Sequence, residues 1–81
     1  MLKALIIDDE PPTLYMFNLF LGAFGYEVIT AENAVSGIAL FKKEKPAIVI
    51  TDIKMPGMDG LDTLKMLKSI DPDVQVIVMT G

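Results

Sequence analysis

The chain has 81 residues, with seven Lys, no Arg and eleven Asp plus Glu, for a net charge of −4. An apolar share of 52% against 22% charged residues excludes a disordered chain, which cannot bury enough apolar surface to order itself. The absence of Cys excludes a disulfide scaffold, a thiol nucleophile and thiolate zinc sites. The absence of His removes the commonest metal ligand and the usual general base. Carboxylates, hydroxyls, lysines and backbone are left to carry the chemistry.

The length allows one domain, 1–81. The negative charge argues against nucleic-acid binding, which needs a basic face. No apolar run reaches the roughly 20 residues of a membrane span. The N-terminus lacks a signal-peptide cleavage pattern and soon meets Asp8, Asp9 and Glu10. The default expectation is a soluble cytoplasmic protein away from membranes.

Residues 2–7 are a short Ile-rich apolar run, read as a strand buried on both faces. Pro11 and Pro12 cannot continue a central strand, but Pro suits a first helical turn. Residues 13–24 read as a helix, with Gly25 at its C-cap. A second strand spans 26–31. Asn33 is the expected N-cap of a helix running to about Lys43, before Pro46. Residues 47–51 are a third buried strand, and 52–60 hold Pro56, Gly57 and Gly60 and read as a loop. A third helix follows over 61–69 and a fourth strand over 74–79. Alternating strands and helices, with strands too apolar for a wet face, predict an α/β fold with a parallel sheet covered on both sides.

In such a sheet, ligands sit at the carboxyl ends of the strands. Asp8 and Asp9 follow the first strand, Asp52 the third and Thr80 the fourth, so the topology makes them neighbours. Three carboxylates together repel unless a cation lies among them. Oxygen ligands without His or Cys suit Mg²⁺ or a similar hard ion. A lone Asp after a strand is more often a solvated turn; the convergence of several argues otherwise. Glu10 reads as a helix N-terminal charge, Asp59 as a loop or cap residue, Asp62 as a first-turn residue, and Asp71 and Asp73 as turn residues.

Residues 6–10 (Ile-Ile-Asp-Asp-Glu), 52–60 (Asp-Ile-Lys-Met-Pro-Gly-Met-Asp-Gly) and 76–81 (Val-Ile-Val-Met-Thr-Gly) resemble the receiver domain of two-component response regulators. The likeness spans the whole chain in the right order, and the 52–60 segment is its most specific part. It implies a flavodoxin-like sheet of strand order 2-1-3-4. It implies Asp52 as the phosphoacceptor, loaded by a sensor histidine kinase. It implies Mg²⁺ held by Asp9 and Asp52 directly, by Asp8 indirectly and by the Lys54 backbone carbonyl. Thr80 matches the hydroxyl residue that reorients toward the phosphoryl oxygen. The product would be an acyl phosphate on the protein itself, so the domain is not a conventional enzyme.

The family pattern continues past the fourth strand with a helix, a Lys-bearing fifth strand and a final helix, roughly 40 residues at ordinary element lengths. The expectation is therefore a C-terminally truncated receiver with an open fourth-strand edge, a template for pairing with another chain. The first helix is apolar nearly all round, which argues for burial. These features predict self-association, as a homodimer or higher oligomer, through Phe17, Phe20, Leu21 or Phe24. The alternative function is thus a self-associating module with weak or no phosphorylation. A haloacid-dehalogenase-like phosphotransferase ranks last, because it needs a second Asp where this chain has Lys54.

Overall fold

Four five-residue strands and three helices alternate along the chain in the computed structural model, which describes residues 2–53 and 60–79. Strand β1 (Lys3–Ile7) is buried at every position after Lys3. It is the central strand, flanked by β2 (Glu27–Ala31) and β3 (Ile48–Asp52), with β4 (Gln75–Met79) beyond β3. The order is β2-β1-β3-β4 and every pairing is parallel, as anticipated. Ile7 lies opposite Ala31 and Thr51, and Asp52 opposite Met79. The register therefore brings the carboxyl ends of all four strands to one edge.

The period-two alternation of side chains sorts the apolar strand residues onto two faces. Leu5, Ile7 and Val49 join Ala31, Ala34, Phe41, Leu67 and Val74 in a core beneath α2 (Ala34–Glu44) and α3 (Gly60–Ile70). Ile6 and Ile50 point the other way and pack with Leu14 of α1 (Pro11–Ala23). Phe17 and Leu21 of α1 lie half-buried at the margin of that second core. Tyr15, Met16, Leu19, Phe20 and Phe24 remain exposed, and the rings of Phe20 and Phe24 meet edge-on at 5.1 Å.

Local chemistry explains the helix ends. Helix α1 starts at Pro11, two residues earlier than anticipated, since Pro needs no N–H in the first turn. It closes with a Schellman arrangement: the Tyr26 N–H donates to the Leu21 carbonyl at 3.2 Å and the Gly25 N–H to Gly22 at 3.0 Å, with Gly25 at φ +90°. The Asn33 side chain caps α2 by accepting the Ser36 N–H at 2.8 Å. Asp71 turns the chain into β4 by accepting the Asp73 N–H at 3.0 Å. At the amino end of the sheet, Lys3 Nζ lies 2.9 Å from Glu44 and 3.7 Å from Glu27. Its hydrogen bond to Glu44 raises the Lys3 pKa and lowers that of Glu44. Both side chains meet solvent, so the pairs add little stability.

Candidate functional site

The carboxyl edge of the sheet carries the acidic residues. Asp8 follows β1 directly, and its N–H donates to the Ala31 carbonyl at 3.0 Å, extending the β1–β2 ladder by one step. Its side chain is only 3% exposed. The Asp8 Oδ1 accepts the Glu10 N–H at 2.9 Å, which pins the carboxylate while the chain turns into α1. Asp9, one residue on, is exposed. Asp52 ends β3 and is half-buried, and the next peptide is held by the Ile53 N–H donating to the Met79 carbonyl at 2.9 Å.

One carboxylate oxygen from each of Asp8, Asp9 and Asp52 lies within 4.8 Å of the other two. Burial pushes the Asp8 carboxyl above its usual range, and the charges of Asp52 and Asp9 push the same way; the Glu10 N–H opposes them. A concentrated negative charge with an all-oxygen donor set fits a hard divalent cation, and the exposed Asp9 and half-buried Asp52 leave room for water ligands. A carboxylate at such a place can also serve as a nucleophile once its charge is balanced.

The three aspartates singled out in the sequence thus come together. Lys54, Thr80 and Asp59 lie outside the described residues. Glu10 takes the N-cap position of α1, and Asp62 the first turn of α3. A cleft of about 310 Å³ lined by Phe41, Lys42, Lys45, Ile70 and Asp71 lies at the opposite end of the sheet and shares no residue with the carboxylates. The sequence pattern puts Gly60 at the end of a loop; in the structure it is the buried first residue of α3, and its N–H donates to the Ile53 carbonyl at 3.1 Å. Its place directly before an amphipathic run was the available signal.

Residues 4–81 match the family model described as the response regulator receiver domain. The chain is 38% identical over 79 residues to sporulation initiation phosphotransferase F of Bacillus subtilis (strain 168), covering 98% of this chain and 64% of that protein. It thus spans under two thirds of that relative's length. It superposes on the response regulator protein TrrA of Thermotoga maritima, solved in complex with Mg²⁺-BeF, with a TM-score of 0.91 and 33% identity, over 96% of this chain and 68% of that one. It also matches the crystal structure of the histidine kinase ThkA in complex with TrrA, with a TM-score of 0.92 and 33% identity, over 100% of this chain and 70% of that one. A match that runs from the first strand to the last places this chain in the response regulator receiver domain family.

Proposed function

We propose that this chain is the phosphoacceptor module of a two-component response regulator, in which Asp52 takes a phosphoryl group from a histidine kinase with Mg²⁺ in the carboxylate cluster. The carrying observation is the convergence of Asp8, Asp9 and Asp52 within 4.8 Å at the carboxyl ends of β1 and β3. The TrrA complexes with Mg²⁺-BeF and with ThkA support the cation and the partner by analogy. The reading places the module in the cytoplasm, with its kinase.

A carboxylate oxygen of Asp52 attacks the phosphorus of the phosphohistidine. The O–P bond forms and the N–P bond breaks. The bonding pair leaves on the imidazole nitrogen, which takes a proton from water. The product is an acyl phosphate that stays on the chain, so the module carries a signal and does not release a product. Mg²⁺, when bound, offsets the charge of the carboxylates and of the transferring phosphoryl oxygens. Asp9 and Asp52 would hold the cation directly. Asp8, buried and pinned by the Glu10 N–H, would supply charge from behind them. The Lys54 carbonyl and the Thr80 hydroxyl are assigned here by motif position alone.

Incubation with acetyl phosphate and Mg²⁺, read by intact mass, tests the assignment. The parent should gain one phosphoryl group and Asp52→Asn should gain none. An adduct that persists in Asp52→Asn overturns it.

A second reading, self-association of the 81-residue chain, draws on a separate observation. The sheet face under α1 is covered by that one helix among the described residues, and Ile77 of β4 on that side is half exposed. Phe20 and Phe24 of α1 are also exposed, whereas Phe17 and Leu21 are partly taken up by the core. A second copy offers the same surface and would cover both.

A further inference from the structure

We infer that Gly60 is a positioning residue for Asp52: the absence of a side chain at the start of α3 lets that helix lock the peptide that follows the phosphoacceptor. The inference rests on the role proposed above for Asp52.

A β-carbon at Gly60 would stand 2.5 Å from the Ile53 Cα, 3.0 Å from the Asp52 carbonyl oxygen and 3.1 Å from the Ile53 nitrogen. All three are backbone atoms, so no rotamer change relieves the clash. Either the first turn of α3 or the Asp52–Ile53 peptide has to move. That peptide has little freedom on its other side, where the Ile53 N–H donates to the Met79 carbonyl at 2.9 Å and Asp52 pairs with Met79 in register. The Gly60 N–H donates to the Ile53 carbonyl at 3.1 Å and completes the grip. The peptide next to Asp52 is therefore clasped between β4 and the start of α3, and the clasp closes only around a glycine.

Gly37 supplies the control. A β-carbon there would stand 2.6 Å from Ile7 Cδ1 and 2.8 Å from Ile7 Cγ1, which are side-chain atoms. A different Ile7 rotamer can make room at a cost in packing, with β1 left in place. Both glycines sit under the same sheet face, but only Gly60 bears on the backbone of an acidic site residue.

Gly60→Ala and Gly37→Ala are compared with the parent by thermal melting, by calorimetric Mg²⁺ titration and by acetyl phosphate labelling. Both variants should melt below the parent. Only Gly60→Ala should lose Mg²⁺ affinity and labelling rate, by about tenfold or more, as expected when a reacting group is misplaced. Parent-like Mg²⁺ affinity in Gly60→Ala, or an equal loss in Gly37→Ala, overturns the inference and leaves the phosphoacceptor reading intact. A parent that neither binds Mg²⁺ nor labels overturns that reading, and this inference with it. Should Gly60→Ala fail to fold, amide exchange in the parent decides. Mg²⁺ should slow exchange at Gly60 and Ile53 more than at Gly37, whose N–H donates to the Asn33 carbonyl at 3.0 Å. Equal slowing at all three overturns the inference.

Discussion

Asp8 and Asp9 are adjacent in sequence and opposite in circumstance: one is sealed behind the first turn of α1, the other faces water. Burial and two neighbouring charges hold the Asp8 carboxyl above its usual range, so the folded protein keeps a proton that the unfolded chain releases. The stability conferred by that proton is complete below the carboxylate range of the unfolded chain. It is lost as pH rises through the higher value of the folded state. Without divalent ions, the parent should therefore lose stability on going from acid to neutral pH through this group. Asp8→Asn keeps an oxygen to accept the Glu10 N–H and removes the charge. It should melt above the parent at neutral pH in EDTA, and the gap should close in acid. Melting curves across pH in EDTA check this. Added Mg²⁺ should stabilise the parent more than the variant, because the variant lacks one of the charges proposed to attract the cation and a ligand of the folded state stabilises it.

Helix α2 shows how far one side chain can define an element. Asn33 accepts the Ser36 N–H and also the Ser36 hydroxyl, at 2.8 and 3.0 Å, and so supplies an acceptor to a backbone donor that the helix start would leave unmet. Asn33→Ala should cost about 1 kcal/mol in urea unfolding, with the denaturant slope unchanged. That cap was legible because its chemistry is local: Asn, then a helical run of apolar residues. The strands were legible for a similar reason, since Leu5, Ile6 and Ile7 in succession suit only a strand covered on both faces. Helix starts set by tertiary contact were not. Gly60 is a poor helix former, and what fixes α3 there is the backbone of Ile53 across the gap, which no local propensity encodes. The same holds for the acidic cluster. The pattern located Asp8, Asp9 and Asp52 at one edge, but the burial of Asp8 beneath the Glu10 turn depends on how α1 leaves the sheet.

At the scale of the molecule, the two sheet faces are unequally clothed. Helices α2 and α3 pack on each other and on one face, while α1 alone serves the other among the described residues. Exposed Tyr15, Met16, Leu19, Phe20 and Phe24 on α1, with Ile77 on β4, form the apolar surface of that side. Sedimentation over a dilution series should show the 81-residue chain as a dimer that dissociates on dilution. Phe20→Glu should shift that equilibrium toward monomer without unfolding the chain. A parent that stays monomeric at high concentration contradicts the self-association reading. Dimerisation unchanged in Phe20→Glu moves the contact to the β4 edge.

Strand β1 meets β3 with Ala4 opposite Ile48, although α1, β2 and α2 intervene along the chain. Bringing such distant partners together costs chain entropy before any contact offsets it. During synthesis the amino-terminal aspartates emerge first and wait for the strand that carries Asp52. The proposed cation site is complete only once β3 has docked on β1 and brought Asp52 to Asp8 and Asp9. Metal capture at that site would follow assembly of the sheet and would not nucleate it.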